Sequence, residues 1–96
     1  MIREPAVSNQ FYDGDPRRLS ARLSTLVGST EGAMPAIAII APHAGYMYSG
    51  GVAGAVYGRV EVPETVVVLG VNHTGLGAPA AVMRSGAWAM PMGSVP

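Results

Sequence analysis

Two stretches of the chain are apolar without interruption. Residues 36–41 read AIAIIA and residues 65–70 read TVVVLG, with Pro35, Pro42 and Pro63 close to their ends. A short apolar run with no polar alternation is the pattern of a strand buried on both faces, as in a parallel sheet. Between them, Val52, Val56 and Val60 recur at four-residue spacing, which predicts a helix near 50–59 capped by Ser49. Gly50, Gly51 and Gly54 each cost that helix about 1 kcal/mol relative to alanine, and they permit close approach to a sheet. Strand, helix and strand in this order make a βαβ unit with parallel strands and a right-handed crossover.

Upstream, Leu19, Leu23 and Leu26 fall on one face of a helix predicted over 16–27, with Arg17, Arg18 and Arg22 mostly on other faces. Asp15 is placed to cap it, Pro16 to open it and Gly28 to stop it. Residues 1–14 read as an extended arm that ends in the turn signal Asp-Gly-Asp-Pro, with Phe11 and Tyr12 anchoring the arm on the domain. A third, weaker strand is predicted at 79–84. Residues 86–96 read as irregular, with Trp88 an apolar plug for a loop.

Composition adds one constraint. At 96 residues the chain is one small domain at most. Hydrophobic residues make up 49% and charged residues 12%, too apolar for a disordered chain and low in charge for a self-standing soluble surface. Much of that surface is therefore expected to be covered. All six basic residues are Arg, net charge is zero and no basic stripe exists, which argues against nucleic-acid binding. With no cysteine, disulfide frameworks and thiolate ligands from this chain are excluded. The N-terminus, MIREPAVSNQF, lacks the apolar core of a signal peptide, and no run approaches the ~18 residues of a membrane span. A cytoplasmic protein is the default expectation.

The chain has only two histidines, and they occupy matching places. His43 follows the first predicted strand, in APHAGYMYSG, and His73 follows the second, in LGVNHTGLG. Ligands of an open α/β sheet bind beyond the carboxyl ends of its strands. Neighbouring strands ~4.8 Å apart would bring both imidazoles into one crevice, the start of a metal site. Taken singly, each histidine is more often a surface or hydrogen-bonded residue than a ligand. Tyr46 and Tyr48 either line the crevice or pack against the helix. SGGVAG fails as a dinucleotide fingerprint because Gly50 and Gly51 are adjacent and no acid follows the second strand. Ser49 has no G-x-S-x-G around it, so a cap role is simpler than that of a nucleophile activated by His43.

REPAVSNQFYDGDP, IIAPHAGYMYSGGVAGAVY, VVLGVNHTGLGAP and GAWAMPMG together resemble the Memo family, called AmmeMemoRadiSam system protein B in bacteria and archaea. The resemblance covers essentially the whole chain. It implies a three-layer α/β sandwich with a parallel βαβ core, similar to the class III extradiol dioxygenases. It implies a site for iron(II) or copper, with His43 and His73 as the first two ligands and Tyr46, Tyr48 and Asn72 around the pocket. The family's third ligand, a downstream cysteine, has no counterpart here, and the chain matches only the N-terminal portion of longer proteins. A fragment, residues 1–96 of a truncated Memo-like domain, is therefore expected. The implied role is that of a metal-dependent, dioxygenase-like oxidoreductase. The alternative is a non-enzymatic module that binds a peptide or small ligand in the same crevice. AMMECR-type and radical SAM proteins are partners by family association.

Overall fold

The computed structural model describes residues 1–96. Helix α1 spans Pro16–Val27, as its sequence predicts. Asp15 accepts a 2.9 Å hydrogen bond from the Arg18 backbone N–H, Pro16 occupies the first turn, and Gly28 at φ 66° ends the helix by donating to the Ser24 carbonyl. Leu19 is the one buried hydrophobic side chain of the molecule, at 3% exposure.

Helix α2 spans Tyr46–Tyr57, so it starts four residues before the predicted 50–59 and ends two earlier. The cause is tertiary. The Tyr46 N–H donates to the Phe11 carbonyl at 2.7 Å, so the N-terminal arm satisfies a helix end that no side chain caps. Ser49 is consequently not the cap. It lies in the first turn, and its hydroxyl donates to the Ala44 carbonyl at 3.1 Å.

The glycines of α2 meet α1, not a sheet. Gly50, Gly54 and Gly58 are buried at four-residue spacing. A Cβ on Gly50 would stand 3.0 Å from Leu26 Cδ1, one on Gly58 would stand 2.6 Å from the Val27 carbonyl oxygen, and one on Gly54 would overlap the Leu26 carbonyl oxygen. Gly51 faces open space.

The sheet also differs from the sequence reading. Strand β1 (Ile2–Arg3) pairs parallel with β2 (Ala87–Met90), and β2 pairs antiparallel with β3 (Gly93–Val95). The segment 86–96, read as irregular, is thus a hairpin turning at Pro91–Met92. Trp88 does not plug a loop. It sits in β2 with the Arg3 guanidinium 4.8 Å above its ring and its indole N–H donating to Met83 Sδ at 3.0 Å.

The predicted strands at 36–41, 65–70 and 79–84 are not formed as hydrogen-bonded strands. No backbone–backbone hydrogen bond involves residues 35–44 or 62–85. Parallel strands are stable when both faces are covered, and here nearly every side chain of 36–40 and 61–82 is exposed. The two apolar segments still begin together, because Met34 bridges Val60 in parallel fashion, with bonds of 3.0 Å to Arg59 and Glu61. The molecule is a mixed α/β structure of two helices and one small mixed sheet. No helix is long and apolar enough to cross a membrane.

Replacing Gly54 with Ala is expected to destabilise the helix pair by about 1–3 kcal/mol, since the new methyl must push the backbones apart. Gly51→Ala should stabilise α2 by about 1 kcal/mol. Urea unfolding followed at 222 nm reads both shifts, and equal effects of the two substitutions would show that the glycine contact is not made.

Candidate functional site

The first imidazole stands on a short loop that three contacts hold. Pro42–Ala44 lead into Gly45, which packs against the Phe11 backbone, a Cβ there lying 3.5 Å from Phe11 Cα. The Tyr46 N–H and the Ser49 hydroxyl then lock both sides of the turn, to Phe11 and Ala44.

The second imidazole stands on a loop organised by Asn72. Its Oδ1 accepts from the Thr74 N–H at 3.2 Å, the Thr74 hydroxyl at 3.0 Å and the Gly75 N–H at 3.0 Å. Its Nδ2 donates to the Leu76 carbonyl at 2.8 Å. The Thr74 hydroxyl in turn accepts from the Leu76 N–H at 3.2 Å. Gly75 and Gly77, at φ 68° and 80°, take the left-handed conformations the turn requires. Asn72 therefore acts on the loop beside His73. The signal was present in the sequence, since Asn followed two residues later by Thr and then Gly is an Asx-turn pattern.

The structure brings His43 and His73 together. Their Nε2 atoms are 3.1 Å apart across thirty residues of sequence, with ring centroids at 5.3 Å and planes tilted by 45°. Both rings are exposed. Facing nitrogens at this distance can share a proton, one ring donating to the other, or share an ion. Two nitrogen ligands of one metal, each ~2.05 Å away, are separated by about 2.9 Å at right angles and about 3.4 Å at the tetrahedral angle. The observed spacing lies between, so the donor pair fits a metal. No group of three or more His, Cys, Asp or Glu side chains stands together.

The tyrosines separate. Tyr46 is half-buried, packs its ring against Tyr12 at 5.7 Å with the planes tilted by 43°, and lines a cavity of about 310 Å³ between α1, α2 and the arm. His43 stands at that cavity's edge, and Leu23, Leu26 and Ala53 make its wall apolar. Burial, with Tyr12 and Tyr57 nearby, raises the Tyr46 phenol above its ordinary pKa of 10.0. Tyr48 is 83% exposed on α2 and does not line the cavity.

Paired imidazoles at the ends of two apolar segments, on an α/β frame, define the candidate site. Comparison with known proteins gives the family. The family model of the Memo-like protein matches residues 3–96. A MEMO1 family protein of Aquifex aeolicus is 47% identical over 95 residues, covering 98% of this chain and 36% of that protein. A MEMO1 family protein of Methanopyrus kandleri is 43% identical over 108 residues, covering 99% and 38%, and one of Methanothermobacter thermautotrophicus is 41% identical over 107 residues, covering 99% and 39%. No solved structure matches. The chain belongs to the Memo-like family, and it spans 36–39% of the length of these relatives.

Asn72→Ala should speed amide exchange at Thr74 and Gly75 by about tenfold, the worth of one ordinary hydrogen bond. Asn72→Asp keeps the acceptor oxygen and should leave both amides slow, a contrast read by NMR exchange. Tyr46 makes a second prediction. A raised phenol pKa means the folded state holds the proton longer than the unfolded one. Its contribution is complete below about pH 10 and is lost as pH rises through the folded value. Tyr46→Phe should therefore flatten the fall in urea midpoint above about pH 10.

Proposed function

We infer that this chain carries the two-imidazole part of a mononuclear iron(II) or copper site in a Memo-like domain. The observation behind this reading is the 3.1 Å approach of His43 and His73 Nε2. Neutral imidazoles suit both metals, and a site with only two protein ligands leaves positions for a third ligand and for substrate. In this reading the third ligand, a cysteine by analogy with the family, lies outside these 96 residues. The complete domain is a three-layer α/β sandwich like the class III extradiol dioxygenases, and residues 36–41 and 65–70 are its parallel strands. The bound metal would supply redox or Lewis-acid chemistry. This chain's residues orient it: Asn72 holds the His73 loop, and Ser49 and Tyr46 hold the His43 turn. AMMECR-type and radical SAM proteins are the partners this reading favours.

The apolar cavity that reaches His43 favours a second reading, in which the same place binds a peptide or small ligand without redox chemistry. Metal titration separates the two. Anaerobic calorimetry with iron(II), and with copper(II), should show weak binding of one ion per chain, lowered at least tenfold by His43→Ala or His73→Ala. Absence of binding, or binding indifferent to both substitutions, would sink the metal reading and leave the ligand-binding one.

A further inference from the structure

The lining of the cavity between α1, α2 and the N-terminal arm narrows what it can hold. No Asp, Glu, Lys or Arg side chain lines it. His43 reaches only its edge and is exposed to solvent. Nothing inside would pair with a charged guest, and burying an unpaired charge in apolar surroundings is costly. An uncharged occupant fits.

Size and wall chemistry narrow it further. A dry apolar cavity of about 150 Å³ takes up benzene. At about 310 Å³ this cavity has room for two fused rings. Three of the chain's four tyrosines, Tyr12, Tyr46 and Tyr57, line it together with the sole phenylalanine, Phe11. Such walls favour a flat aromatic guest, which packs offset or edge-on against their rings. A rigid guest also loses little internal freedom on binding.

One polar group in the wall has a fixed sense. The Ser49 hydroxyl lines the cavity and donates its only proton to the Ala44 carbonyl at 3.1 Å. Its oxygen is left with acceptor capacity alone. A guest that meets this oxygen must bring an N–H or O–H of its own.

We propose that this cavity is a binding site for a neutral, flat, two-ring aromatic molecule with one hydrogen-bond donor, indole being the simplest of the class, and that the donor rests on Ser49 Oγ. The proposal builds on the ligand-binding reading of the cavity and does not depend on an ion at the histidines. Ser49 also ties the turn that bears His43, so the guest is held beside the imidazole pair.

The test titrates isotope-labelled chain with indole and follows the backbone amides of Ser49, Ala53 and Gly54 by NMR. These signals should move together and saturate at one indole per chain. N-methylindole has the same rings without the donor, and indole-3-acetate adds a negative charge. Each should bind at least about tenfold more weakly than indole, the first because it forfeits one ordinary hydrogen bond. Ser49→Ala should make indole and N-methylindole equal, a ratio that loss of the Ala44 bond alone would not move. Ala53→Leu, which fills the cavity from its wall, should abolish saturable shifts while the helical signal at 222 nm persists. The Ser49 comparison decides the matter even if the Ala53 variant does not fold. Equal binding of indole and N-methylindole to the unaltered chain, or a preference for indole that survives Ser49→Ala, overturns the proposal. Cavity shifts with indole-3-acetate but not with indole overturn the assigned class and leave the ligand-binding reading in place. Shifts with none of the three compounds overturn both.

Discussion

Helix α2 reaches α1 through glycine, and the position of the site depends on that contact. Gly50, Gly54 and Gly58 bring the backbone of one helix against Leu26 and Val27 of the other, closer than side chains would allow. Four of the five buried residues are glycines, Gly45 included, and the fifth is Leu19. The small interior of this molecule is thus largely backbone against backbone. The arm completes it: Phe11 closes over Gly45 and caps α2, which fixes the turn bearing His43.

The other half of the molecule lacks such cover. The most hydrophobic segments of the chain are its most exposed ones, the reverse of ordinary folding. Hydrophobic burial is the main favourable term in folding, so segments that bury nothing gain little by forming a ladder. That accounts for segments that start side by side and end side by side but make no backbone bonds between.

The histidine pair survives this looseness because each loop is locally tied. Asn72 bonds four times within its own turn, and Ser49 and Tyr46 close the other turn. Local hydrogen bonds of this kind depend on neighbours in sequence and do not need a finished sheet. The site geometry therefore rests on local contacts.

Local features were legible in the sequence for the same reason. Helix α1 follows from Asp15, Pro16, the leucine spacing and Gly28, all within a few residues of each other. The convergence of His43 and His73 followed from their equivalent places after two apolar runs, and the family from the motifs around them. Tertiary structure decided what distant partners control. The start of α2 moved because a carbonyl of the arm caps it, and its glycines met a helix because α1 lies there. The hairpin at 87–95 formed around Trp88 because Arg3 and Met83 flank that ring. Residues 36–41 and 65–70 carry strand patterns in their sequence, but a strand forms through bonds to neighbours and burial beneath other layers. A pattern of side chains specifies which surface wants cover, and only the assembled chain provides it.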